Sequence, residues 1–139
     1  SGVPVACVAI TEEETRMFVR EFARRLAPAT APTVICIPMR GWGGCDIAAP
    51  NLELGWGGDG AGPTWIAGGN PAHSRRSEVM LEVLQEELPR KENLEVLVVD
   101  KHINEPEFAD IAAELLTEML DGTWKRGSHA GLPYVRSLF

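Results

Sequence analysis

The residues best suited to hold a small ligand follow directly after an apolar run, TVICIP, at Thr33–Pro38. They are Arg40, Gly41, Trp42, Gly44 and Asp46. Glycines let backbone N–H groups approach an anion closely, and an arginine guanidinium pairs with an anion through two parallel hydrogen bonds. These residues open a stretch, 39–69, that holds ten of the chain's 14 glycines. A loop of that length is either functional or a flexible surface segment, and the sequence leaves both interpretations open.

A second polar cluster comes at the end of the apolar run 94–100, where Asp100, His102 and Asn104 stand close together. Histidine titrates near neutral pH, so His102 has the chemistry of a general acid or base that Asp100 would orient. The structural interpretation is that His102 or Asp100 holds the turn and that Asn104 caps the following helix. The sequence does not decide between these roles.

Both clusters leave predicted strands, and in open α/β sheets ligands bind beyond the carboxyl ends of the strands. We therefore predict one ligand-binding site, formed by the first cluster together with His102 and Asn104, and assign no catalytic residue. The phosphate-loop motif G-x-x-x-x-G-K-[ST] is absent from the sequence. Whether the chain is an enzyme stays open: the alternative is half of an active site, a hydrolase or lyase that acts on a small anionic metabolite through His102 and Arg40.

The composition narrows the class of protein. The 139 residues carry 13 basic and 20 acidic side chains, a net charge of −7, whereas nucleic-acid backbones select basic surfaces. No apolar run approaches the roughly 18 residues that cross a bilayer, and no segment resembles a signal peptide. We expect a soluble, cytoplasmic domain with no nucleic-acid or membrane partner.

Single residues give further predictions. Cys7 and Cys36 are predicted to be buried free thiols, and His129 is predicted to be a surface residue. No cysteine pair has the spacing of a zinc site.

Hydrophobic periodicity predicts strands that alternate with helices. The runs 3–10, 33–38 and 94–100 are apolar on both faces, which is typical of buried parallel strands. Such an order implies an α/β fold with a small layered parallel sheet and helices on both faces.

Three helices are predicted from capping residues that precede apolar positions at helical spacing. The first begins at Thr11, whose hydroxyl accepts the N–H of Glu14 while the Glu14 carboxylate reaches back in a capping box. The second begins at Asn70 or Ser74, and the third begins after Asn104.

The chain divides into an α/β lobe at 3–121 and a basic, aromatic carboxyl-terminal tail at 122–139 that contains no acidic residue. We expect this tail to dock on an acidic, partly apolar surface of its own domain or of a neighbour. Three strands make a thin sheet, so we also expect the chain to pair with another copy or to be one lobe of a two-lobe protein.

Two blocks of sequence resemble a known family. They read PMRGWGGCD at 38–46 and HINEPEFA at 102–109, with TEEE at 11–14 as a third, weaker block. They resemble the carboxyl-terminal lobe of the uncharacterised ATP-binding-domain family typified by the tomato tobamovirus-resistance protein. Members of that family typically have a serine where this chain has Gly43 and an aspartate where it has Glu105.

The resemblance implies a fold and a setting. The family has two α/β lobes, and its nucleotide site is associated mainly with the first lobe. We therefore expect a ligand-binding or oligomerisation lobe of an ATP-binding-type protein, with no cofactor in this chain and ATP as a ligand of the full-length protein. The expected partners are a second copy or the amino-terminal lobe, and a small anionic ligand.

Overall fold

The computed structural model describes residues 11–42 and 76–139. Three of the predictions fall outside the described residues. They concern the strand at 3–10, the candidate helix caps Asn70 and Ser74, and the site residues Gly44 and Asp46. Within 11–42 and 76–139 the elements are α1 (Glu12–Leu26), β1 (Thr33–Pro38), α2 (Arg76–Glu87), β2 (Leu94–Val99), α3 (Pro106–Leu120) and β3 (Val135–Ser137). The helices within these two ranges include no candidate for a membrane-spanning segment.

Helix α1 begins where the sequence predicts it. The Thr11 hydroxyl accepts the N–H of Glu14 at 3.2 Å, and the Glu14 carboxylate accepts the Thr11 N–H at 2.7 Å. Three glutamates occupy the first turn, where they interact favourably with the positive end of the helix dipole. The predicted capping box is therefore confirmed, and its two hydrogen bonds satisfy two backbone donors that the helix itself leaves unpaired.

Strand β2 lies between the other two strands. It pairs with β1 in parallel, in a register that places Pro38 opposite Val99. On its other side it pairs with β3 antiparallel, with Val98 opposite Arg136. The model agrees with the predicted α/β class, and β1 and β2 are parallel as predicted. The described sheet as a whole is mixed and not purely parallel, because β3, which the sequence analysis does not predict as a strand, is antiparallel to β2. The segment between α3 and β3 reverses the direction of the chain, so β3 runs antiparallel to β2.

Alternate residues of the strands belong to two apolar clusters. Ile35 and Val96 pack in one cluster with α1 and α2, whereas Val34, Cys36 and Leu97 pack in the other with α3. Because side chains alternate across a strand, helices lie on both faces of the sheet. All six residues of β2 are buried, as expected for a strand that is covered on both sides.

The carboxyl-terminal tail, 122–139, packs on its own domain and supplies β3. Glu95 in β2 is only 1 % exposed, and its carboxylate accepts the N–H of Gly127 at 3.0 Å. Gly127 has φ +82°, a left-handed conformation that glycine adopts without steric cost. Apolar residues of the tail pack on the α3 side of the sheet; they are Trp124, Leu132 and Tyr134.

The prediction of a free thiol at Cys36 is confirmed, whereas the prediction of a surface position for His129 is wrong. Cys36 is a free, half-buried thiol, and burial, with a smaller contribution from the charge of Glu95, raises its pKa to about 11. It is therefore largely protonated and unreactive at neutral pH. The His129 side chain is buried, with Nε2 at 3.2 Å from the Glu118 carboxylate.

Replacing Thr11 with alanine tests the capping box. We expect Thr11→Ala to lower the free energy of unfolding by about 1 kcal/mol, because the Glu14 N–H loses its acceptor. Urea denaturation monitored by circular dichroism measures the change. Thr30→Ala is the matched control, since Thr30 is exposed and lies beyond the end of α1. Equal stability of the two variants would contradict a stabilising role for the cap.

Candidate functional site

Arg40 and Asp100 form an ion pair at the carboxyl edge of the sheet, just beyond the ends of β1 and β2. The guanidinium donates through Nε to Asp100 Oδ1 at 2.9 Å and through Nη2 to Oδ2 at 2.8 Å. Both side chains are more than half exposed, at 57 % and 61 %. The predicted anion-binding arginine therefore has a bidentate carboxylate partner within the chain, and Asp100 holds Arg40 instead of orienting His102.

The two segments that carry the predicted site residues are joined by backbone hydrogen bonds beyond the last strand pair. The Arg40 N–H donates to the Lys101 carbonyl at 3.2 Å, and the Ile103 N–H donates to the Gly41 carbonyl at 3.0 Å. Gly41 has φ +133°, which a residue with a side chain rarely adopts. Glycine is thus needed here for the path of the backbone, and the pairing of β1 with β2 continues into both loops.

Trp42 connects this edge to helix α2. Its indole N–H donates to the Ser77 hydroxyl at 2.8 Å, and the Ser77 hydroxyl donates to the Pro38 carbonyl at 2.6 Å. The ring is half-buried and packs against the cluster that contains α1 and α2. In the described residues Trp42 therefore fixes the end of β1 against the first turn of α2.

His102 and Asn104 form the turn that leads into α3. His102 is 2 % exposed, and its Nδ1 accepts the Asn104 N–H at 3.1 Å. Glu105, not Asn104, occupies the N-cap position of α3, so the prediction of Asn104 as the cap is wrong. The Glu105 carboxylate reaches back to accept the His102 N–H at 2.5 Å, which closes the turn one residue later than the sequence suggests. Within this turn His102 has the structural role that the sequence left open.

Lys101 is held inside the same turn region. Its ammonium lies 2.6 Å from a Glu107 carboxylate oxygen and 3.4 Å from one of Glu105, and 5.3 Å from the centre of the Tyr134 ring. The side chain is only 19 % exposed. Carboxylates at the start of α3 therefore balance the charge of Lys101, and Lys101 stabilises this end of the helix.

A cavity of about 320 Å³ opens beside the Arg40–Asp100 pair, between the end of β1 and the tail. Met39, Val98 and Pro133 supply apolar walls, whereas Asp100, Tyr134 and Arg136 supply polar groups. Sequence reasoning does not find this cavity, because it depends on the long-range pairing of β3 with β2. The available signal is composition: both Tyr134 and Arg136 belong to the basic, aromatic tail.

The structure thus brings together five of the seven predicted site residues, Arg40, Gly41, Trp42, His102 and Asn104. Gly44 and Asp46 lie outside the described residues. No group of three or more histidine, cysteine, aspartate or glutamate side chains within 11–42 and 76–139 is arranged to hold a metal ion.

Comparisons of the chain with protein-family models, with curated proteins and with solved structures find no match. The resemblance of the blocks at 38–46 and 102–109 to an ATP-binding-domain family stays a prediction. The class that the structure itself supports is a small α/β domain with a mixed sheet.

Removing Arg40 tests the electrostatics of the ion pair. Its hydrogen bonds hold the pKa of Asp100 below the ordinary value of 3.8. In Arg40→Met we expect this pKa to rise toward 3.8, as followed by carboxyl-carbon NMR during a pH titration. Because the folded-state pKa is lowered, the stabilisation from the pair is present above the ordinary pKa and is lost as the pH falls through the lowered one.

The matched control is Arg24→Met, which breaks another bidentate, exposed arginine–carboxylate pair, between Arg24 and Glu21. That variant should leave the titration of Asp100 unchanged. An Asp100 pKa that is the same in Arg40→Met and in the unaltered chain would contradict the pairing.

Proposed function

We propose that the chain is a binding domain for a small anionic molecule, which it holds at the carboxyl edge of β1 and β2. One observation carries this proposal: the segments after β1 and β2 are hydrogen-bonded to each other and lie beside a cavity. Ligands of open α/β sheets bind in this position, because the loops beyond the strand ends are free to vary on a rigid support.

The cation that faces the cavity is Arg136, in a chain whose net charge is −7. Arg40 and Asp100 neutralise each other, whereas Arg136 lines the cavity with an exposed guanidinium. Lys101 and the carboxylates of Glu105 and Glu107 pair with one another in the turn into α3, and none of the three lines the cavity. Within the cavity Arg136 therefore attracts and orients a small anion more strongly than a cation.

In this proposal the chain is one lobe of a two-lobe, cytoplasmic protein of the ATP-binding type, and it associates with its companion lobe or with a second copy. The support is the resemblance of the blocks at 38–46 and 102–109, together with the small size of the described sheet. ATP would bind to the full-length protein, with no cofactor in this lobe.

The alternative, half of an enzyme active site that uses His102 and Arg40, has weaker support. The His102 side chain is almost completely buried and accepts a backbone hydrogen bond from Asn104. The Arg40 guanidinium already pairs with Asp100. Both groups would have to change partners before they could act on a substrate.

A titration of the ¹⁵N-labelled chain with inorganic phosphate, ATP and benzoate tests the proposed function. We expect at least one of these anions to shift the backbone amide signals of 39–42 and 100–104 in a saturable way, because both segments border the proposed site. Amide signals of α1 serve as the internal control and should not move. Absence of a saturable shift in both segments with all three anions would contradict the proposal.

A further inference from the structure

The cavity beside the Arg40–Asp100 pair has an apolar interior and one cationic group. Val98 and Arg136 are direct register partners in the antiparallel pair of β2 and β3, so their side chains lie on the same face of the sheet. Met39 and Pro133 line the cavity from the two segments on either side of β2. A ligand that enters this space meets hydrocarbon on most of its surface.

Arg136 is the cationic group suited to recognise a ligand. Its side chain is exposed on β3, and within 11–42 and 76–139 its guanidinium has no ion-pair or hydrogen-bond partner. A guanidinium presents two parallel N–H donors that match the two oxygens of a carboxylate. This contrasts with Arg40, whose corresponding donors are taken by Asp100.

Asp100 adds a constraint on the charge of the ligand. Its carboxylate lines the cavity, but its charge is balanced by the guanidinium of Arg40. Since Arg40 balances Asp100, a monoanion that pairs with Arg136 balances the remaining charge among the groups that line the cavity. A dianion would leave a surplus negative charge next to Asp100, and a cation would be repelled by Arg136.

The volume limits the size of the ligand. About 320 Å³ is at the lower end of the range for small-molecule sites, roughly 300–1,000 Å³, so the cavity is matched in size to a small molecule. We infer that the cavity lined by Met39, Val98 and Arg136 is a binding site for a small monocarboxylate with an apolar body. This inference rests on the proposed function and specifies the ligand class of the same edge.

Binding of three probes to the unaltered chain tests the ligand class. Benzoate combines a carboxylate with an apolar ring, acetate has the carboxylate without the ring, and benzylamine has the ring with the opposite charge. We expect benzoate to produce saturable shifts at Val98, Asp100 and Arg136, with an affinity at least about tenfold higher than either of the other two probes. Equal affinity for benzylamine, or for acetate, would overturn the inference.

Arg136→Met tests the cationic group, because it removes the charge and keeps the length of an exposed side chain. We expect the affinity for benzoate to fall about tenfold or more, in line with the loss of a charge-assisted hydrogen bond. Lys125→Met is the matched control: it removes an exposed cation of the same tail at a position that does not line the cavity. Arg136→Gln provides a second variant should the methionine disturb β3.

The outcomes separate this inference from the proposed function. Unchanged benzoate affinity in both Arg136 variants would overturn the inference alone. The same holds if phosphate or ATP shifts the amides of 39–42 and 100–104 while benzoate leaves the cavity residues unshifted. If benzoate, phosphate and ATP all leave these segments unshifted, both the inference and the proposed function are contradicted.

Discussion

The parallel pairing of β1 with β2 is the constraint on which the rest of the molecule depends. The register places Pro38 opposite Val99, so both strands end at the same edge of the sheet. The two segments that follow them therefore leave the sheet side by side. Hydrogen bonds from Arg40 to Lys101 and from Ile103 to Gly41 then extend the pairing into the loops. Two segments that are about sixty residues apart in the sequence become neighbours without a disulfide or a metal ion in the described residues.

The polar residues at this edge have different roles. Arg40 and Asp100 hold the two loops together across the end of the sheet, and Lys101 and His102 build the turn into α3. The tail, which adds β3 to the other side of β2, supplies Arg136, whose guanidinium has no partner among residues 11–42 and 76–139. In the proposed function an anion would pair with Arg136 while the Arg40–Asp100 ion pair stays intact.

Local features were predictable from the sequence because their causes are local. The capping box of Thr11 and Glu14 and the bounds of β1 follow from residues close together in the chain. The prediction of Asn104 as the helix cap was wrong although a local signal was present: Pro106 is the first residue of α3, and proline favours the first helical position, which makes Glu105 the cap. The partner of Asp100, the mixed sheet and the cavity could not be predicted from local sequence. Each depends on contacts between distant segments, and β3 is a three-residue strand with no periodic pattern to reveal it.

A long-range HNCO experiment, which detects scalar coupling across a hydrogen bond, tests most directly whether the two loops meet. If the two loops are paired, a cross-peak connects the Ile103 amide to the Gly41 carbonyl carbon, and the Ile103 amide proton exchanges slowly with solvent. An Ile103 amide that exchanges as fast as one in an unstructured peptide and shows no such coupling would contradict the pairing of the two loops. The shared edge, and with it the candidate site, would then have no basis.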